Sequence, residues 1–132
     1  MTRRQIAASL VAGLLWGLVA WTLARRAFPT GVWAGVVFAP FIGLLVGIMV
    51  QPSFQARNGF GRSIAALIGL YLGATLFSMA IALASGPQFR SRPIETLTET
   101  VLATWWGITI TGFILFLWPL AYFTHWVIEA RE

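Results

Sequence analysis

The chain contains four long apolar stretches, and none of them includes an Asp, Glu, Lys or Arg residue. They cover residues 6–24, 32–50, 64–84 and 101–128. The first three are about 20 residues long, and a helix of that length reaches about 30 Å, the thickness of a bilayer's hydrocarbon core. Because a backbone in lipid must satisfy its own hydrogen bonds, each stretch is predicted to be a helix. The sequence therefore predicts an all-α integral membrane protein, one domain over residues 1–132 with four transmembrane helices and short loops.

The composition and the positions of the charges agree with a membrane location. Hydrophobic residues make up 58% of the 132 residues and charged residues only 10%, which leaves more apolar surface than a soluble domain of this size can bury. The net charge is +5, and the arginines stand near the ends of the apolar stretches. This placement is typical of contacts with lipid headgroups rather than with nucleic acid. Arg57 and Arg62, in a polar loop expected over residues 51–63, are the predicted headgroup contacts.

The fourth stretch is longer than the others. At about 28 residues it would reach about 42 Å as one helix, so we expect it to tilt or to extend into the interface. Pro119 is expected to kink this helix near its end. Upstream, Pro93 followed by Glu95 is a helix-start signal. Residues 93–100 are therefore predicted to form either a short interfacial helix or the first turns of the fourth span.

Glycines recur at four-residue spacing in the first three stretches. Such spacing puts small residues on one helix face, where two backbones can approach closely. Two interpretations stay open, because the faces can join helices of one monomer or join the chain to a second copy or another subunit. The predicted helix-packing residues are Gly13, Gly17, Gly35, Gly43, Gly47, Gly69 and Gly73.

The chain offers few groups for chemistry. It has no Cys, which excludes thiol catalysis and thiolate metal sites. No carboxylate lies inside an apolar stretch, where ion-coupled transporters usually carry one. We therefore predict no enzymatic activity, no metal and no cofactor. His125, the one histidine, is a candidate haem or chlorophyll ligand; the alternative is a hydrated histidine at the interface, with Glu129 four residues later as its partner.

These features together predict a small non-catalytic accessory or structural subunit that packs in the membrane plane against a larger complex. The alternative is a small homo-oligomeric transporter or channel, and a cofactor-binding electron-transfer subunit is a third possibility. Four spans place both termini on one side, together with the arginines at positions 3, 4, 57, 62 and 131. The other side carries the four at 25, 26, 90 and 92. The positive-inside rule then predicts cytoplasmic termini, in a bacterial inner membrane.

Overall fold

A computed structural model describes residues 3–26 and 31–130, and within these residues it contains six helices and no strand. Three of the helices are long and apolar enough to cross a membrane, and two consecutive shorter ones together are a fourth candidate. The architecture is therefore consistent with an all-α membrane protein. Part of the short loop between the first two stretches (residues 27–30) lies outside the described residues, as does Arg131. The helices are α1 (Arg3–Ala24), α2 (Val32–Ala56), α3 (Phe60–Leu83), α4 (Pro87–Ser91), α5 (Pro93–Ile110) and α6 (Phe113–Ala130).

The first three helices form an antiparallel layer with α2 in the middle. Along α1 and α2, Gly13 lies against Gly43 while Gly17 lies against Ala39, so the two helices run in opposite directions. Helices α2 and α3 are likewise antiparallel and packed together, whereas α1 and α3 are not a packed pair. In lipid no hydrophobic force drives helices together, so close backbone packing and dispersion must hold this layer.

The connection between α2 and α3 is shorter than the expected polar loop over residues 51–63. Helix α2 continues through Pro52 to Ala56, and α3 begins at Phe60. The last turn of α2 stays helical because it has a packed face: Phe54 is fully buried against α3 and α6. Gly59, with φ of 55°, makes the turn, a backbone conformation that glycine adopts at little cost.

The segment before the fourth stretch is helical as well. After Gly86, the five-residue helix α4 leads directly into α5, which begins at Pro93. The Thr96 hydroxyl donates to the Gln88 carbonyl at 3.2 Å, and Arg92 forms an ion pair with Glu95. Of the two alternatives for residues 93–100, the structure shows the second, because they are the first turns of α5.

The fourth stretch is two helices rather than one. Helices α5 and α6 meet at a 95° bend, whereas the sequence predicted one helix over residues 101–128 with a kink at Pro119. Gly112 has φ of 83°, a left-handed conformation that ends α5 and that other residues rarely adopt. Pro119 lies inside α6, where a membrane helix tolerates it.

Helices α5 and α6 pack over the three-helix layer. Helix α5 runs antiparallel to α3, and hydrogen bonds join the hydroxyls of Tyr71 and Thr109 at 2.6 Å and those of Ser78 and Thr104 at 2.7 Å. Helix α6 crosses the layer and contacts α3, α2 and α1; on α1, the Trp16 indole donates to Thr124 at 3.0 Å. The bent pair therefore covers one side of the layer.

Candidate functional site

A cavity of about 240 Å³ lies between the three-helix layer and the α5–α6 pair. Five helices contribute to its wall, which is mainly Ala, Val, Leu, Ile and Phe, with a few polar groups. We call it the central cavity. Six of the seven glycines predicted to pack helices line it: Gly13, Gly17, Gly43, Gly47, Gly69 and Gly73.

The glycines play two different roles around this cavity. At Gly13 and Gly43 the backbones touch, since a Cβ on Gly43 would lie 2.7 Å from the Ser9 carbonyl oxygen. At Gly73 a Cβ would lie 3.7 Å from its nearest neighbour, an ordinary contact. The first two glycines therefore close the α1–α2 contact, while Gly73 leaves space inside the cavity.

The seventh predicted glycine, Gly35, packs elsewhere. It is buried, and a Cβ there would lie 2.5 Å from the Phe77 ring. The absence of a side chain lets this ring pack directly against the α2 backbone, in the smaller apolar cluster with Val32 and Ile81.

His125 carries the most distinctive polar group on the cavity wall. Its side chain is only 5% exposed, and it projects from α6 between α2 and α3. Nδ1 lies 3.2 Å from Gln51 Oε1, and Gln51 Nε2 donates to the His125 backbone carbonyl at 3.3 Å. The sequence interpretation of a hydrated interfacial histidine paired with Glu129 is therefore not what the structure shows.

The two contacts with Gln51 determine the tautomer of His125. A backbone carbonyl only accepts hydrogen bonds, so the Gln51 amide nitrogen must face it and the amide oxygen must face Nδ1. Nδ1 therefore carries the proton and donates to Gln51. The other ring nitrogen, Nε2, is left as an acceptor with a free lone pair.

The opposite edge of the His125 ring faces Gly69. A Cβ at position 69 would lie 2.9 Å from Nε2, so only glycine leaves room for the imidazole here. Both residues line the central cavity, whereas Gln51 does not. Within the described residues, Nε2 has no hydrogen-bond partner, and it faces Gly69 on the cavity wall.

A charged cluster lies beside this histidine. Arg62 forms an ion pair with Glu129, and its guanidinium lies 4.2 Å from the centre of the Phe54 ring. Phe54 in turn contacts the His125 ring at 5.4 Å between centroids. Glu129 thus pairs with Arg62 instead of His125, and the cluster fastens the end of α6 to the start of α3. Arg57, the other predicted headgroup contact, is exposed.

Sequence reasoning missed Gln51, which it assigned to a loop, and missed the cavity. The sequence did contain a signal for Gln51. The residue directly follows an apolar stretch and stands four positions after Gly47, so it would share a helix face with Gly47 if the helix continued. The cavity had no local signal, since it arises where five helices fail to fill the space between them. Among residues 3–26 and 31–130 no group of three His, Asp or Glu side chains could hold a metal ion.

No protein-family model, no curated protein and no solved structure matches this chain.

Proposed function

We propose that the protein is a small non-catalytic accessory subunit that packs in the membrane plane against a larger membrane complex. The observation that carries this proposal is the break between α5 and α6. The break lies level with the middle of α3, and its side chains are nevertheless exposed on the surface of the protein.

The position of the break follows from the contacts of α5. Tyr71, which bonds to Thr109, lies at the middle of α3 (Phe60–Leu83). The bend at Gly112 comes a few residues after Thr109, and each helical residue advances the chain by about 1.5 Å. If α3 spans the bilayer, the break therefore lies within about 5 Å of the level of its centre.

The break is also open to the surroundings. Ile110 is 66% exposed and Leu115 is 79% exposed, and Thr111 between them is exposed too. A helix end and a helix start each leave backbone groups without intrahelical partners. Here the Thr111 hydroxyl bonds to the Gly107 carbonyl, and the Leu115 N–H donates to the Gly112 carbonyl at 3.0 Å.

Irregular backbone of this kind does not occur facing lipid at membrane depth, because each unsatisfied group costs several kcal/mol there. A protein surface over Ile110–Phe116 would remove that cost. The glycine faces do not offer such a surface to a second copy, since Gly13, Gly43 and Gly35 already pack against helices of the same chain. These two points favour a different membrane protein as the partner.

Site-specific photo-crosslinking tests the proposal. A benzophenone amino acid replaces Phe116, which is 64% exposed beside the break, and in a second strain it replaces Phe41, which is 65% exposed on α2. Both are aromatic and equally accessible, so they form a matched pair. With the protein expressed at its native level, we expect Phe116 to give an adduct with one other membrane protein and Phe41 to give mainly lipid adducts.

The same partner should copurify with the wild-type protein in a fixed ratio. Lipid adducts alone at both positions would contradict the proposal. An adduct at Phe116 with twice the mass of the chain would instead support self-association.

The second candidate is a small homo-oligomeric transporter or channel. One observation favours it: a helix broken near mid-depth beside a cavity is how many transporters build a substrate site. Gly107 and Phe113, on the two sides of the break, both line the central cavity. The crosslinked dimer described above would be the result that supports it.

For the location we propose a bacterial inner membrane, with both termini cytoplasmic. The support is the small arginine excess on that side and the geometry of the chain ends. Helices α1 to α3 alternate in direction, so the starts of α1 and α3 lie at the same end of the layer. The Arg62–Glu129 ion pair brings the end of α6 to that same end.

A further inference from the structure

We propose that the central cavity binds an uncharged, lipid-soluble molecule with a hydroxyl group, and that this hydroxyl donates a hydrogen bond to Nε2 of His125. This site goes beyond the proposed role as an accessory subunit and does not depend on it.

The choice of a hydroxyl follows from the histidine tautomer. Gln51 holds the proton on Nδ1, so Nε2 can only accept a hydrogen bond. A ketone, an ether or an ester has no proton to donate and would leave the lone pair unpaired. An alcohol or a phenol supplies the donor, and it stays neutral in an apolar wall where a charged group would be expensive.

The lone pair is a second observation, independent of the cavity itself. Only 5% of His125 is exposed, and a polar atom at such a place is unfavourable without a hydrogen-bond partner. Gly69 is the residue that lets the ring occupy this place. The hydroxyls of Thr104 and Thr124 on the same wall already have hydrogen-bond partners, so Nε2 is the acceptor that still needs a donor.

The size of the cavity limits the ligand. An apolar cavity of about 150 Å³ accommodates a benzene ring, so about 240 Å³ corresponds to roughly ten heavy atoms by proportion. The cavity is smaller than the range of about 300–1,000 Å³ typical of sites for drug-sized molecules. A single ring or a short branched chain fits, and longer chains must continue out of the cavity.

Such a continuation has a path. Ala20 of α1 and Ala103 of α5 lie on the cavity wall, yet α1 and α5 are not a packed pair of helices. No helix packing closes the wall between α1 and α5, so a chain longer than the cavity can leave it there. In a membrane this gap faces the acyl chains, which suits a ligand that partitions into lipid.

Two kinds of molecule share this chemistry, an isoprenoid alcohol and a quinol. Geraniol is the probe for the first and trimethylhydroquinone the probe for the second. Each probe has a control compound with the same carbon skeleton but no hydroxyl group to donate a hydrogen bond. Geranyl methyl ether is the control for geraniol, and trimethylbenzoquinone is the control for trimethylhydroquinone.

Nitrogen-15 NMR reads the contact directly, because His125 is the one histidine in the sequence. The protein is labelled with ¹⁵N-histidine and reconstituted in lipid nanodiscs. A hydrogen bond accepted by Nε2 moves its resonance upfield, and partitioning of the probe into lipid does not. We expect this shift with geraniol, with trimethylhydroquinone or with both, and binding about tenfold weaker for the matching control. A shift with geraniol identifies the ligand as an isoprenoid alcohol, and a shift with trimethylhydroquinone identifies it as a quinol.

Two variants locate the site without changing the histidine. Gly73→Leu fills the cavity at a position where a Cβ meets nothing closer than 3.7 Å, so the fold should tolerate it, and it should abolish the shift. Ala7→Leu adds the same side chain on the exposed face of α1 and should leave the shift intact.

Four results would overturn the proposal. The first is an Nε2 resonance that neither donor moves. The second is a shift that the ether or the quinone reproduces at the same concentration. The third is a shift that survives in Gly73→Leu, which would mean that the probe binds elsewhere. A visible-absorbing pigment that copurifies with the protein and is lost in His125→Ala would also overturn it, in favour of a tetrapyrrole ligated by Nε2.

Discussion

The contact between α1 and α2 makes the sharpest prediction about stability. At Gly43 a Cβ would lie 2.4 Å from the Gly13 Cα and 2.7 Å from the Ser9 carbonyl oxygen. Both are backbone atoms that cannot rotate away. To bring the 2.4 Å approach to the 3.4 Å of an ordinary contact, the two helices would have to separate by about 1 Å, and a gap of that size forfeits up to about a half of each dispersion contact.

Gly107 provides the matched control. It also lies inside a helix, but a Cβ there would have no neighbour within 4 Å. Gly→Ala improves helix propensity by up to about 1 kcal/mol at either position. The difference between Gly43→Ala and Gly107→Ala therefore isolates the packing term, which overpacking data place at about 1–3 kcal/mol.

Reversible unfolding in mixed micelles measures this difference. The purified variants are titrated with increasing mole fractions of dodecyl sulfate while circular dichroism follows the helix content. We expect Gly107→Ala to unfold at or above the wild-type midpoint and Gly43→Ala to unfold well below it. Equal stabilities for the two variants, or a more stable Gly43→Ala, would show that α1 and α2 do not meet at these glycines.

Four further outcomes follow from other contacts. Glu129→Gln should lower the free energy of unfolding by about 1 kcal/mol, since the ion pair with Arg62 is partly exposed, and a double-mutant cycle with Arg62→Met should show that the two residues are coupled. Gly112→Ala should cost about 1–2 kcal/mol because its φ is 83°, and a wild-type midpoint would argue against the bend. Ser9→Ala should stabilise the protein by up to about 1 kcal/mol, because the buried Ser9 hydroxyl has no hydrogen-bond partner within the described residues; a clear loss of stability would reveal a partner. Reporter fusions at Glu132 should show cytoplasmic activity, and signal from the opposite side alone would refute the orientation.

The sequence alone was enough to predict the membrane class and most of the helices. A stretch of about 20 residues without charge has few alternatives to a membrane helix, because lipid offers the backbone no partners. The same reasoning gave the start of α2 and the helix start at Pro93. These properties are local, so they can be read from neighbouring residues.

The functional features depend on residues that are distant in sequence. The lone pair on His125 is free because Gln51, 74 positions earlier, holds the other ring nitrogen, and because Gly69 on a third helix leaves room for the ring. The sequence suggested Glu129 for His125 because they are one turn apart, yet Arg62 provides the better charge partner once α6 lies across α3. Hydropathy could not reveal the bend at Gly112 either, since a broken helix and a straight one have the same composition. The local sequence therefore determined where most helices form. The orientation of α6 depends on contacts between helices that only the folded chain brings together, and so do the central cavity and the free acceptor, Nε2 of His125.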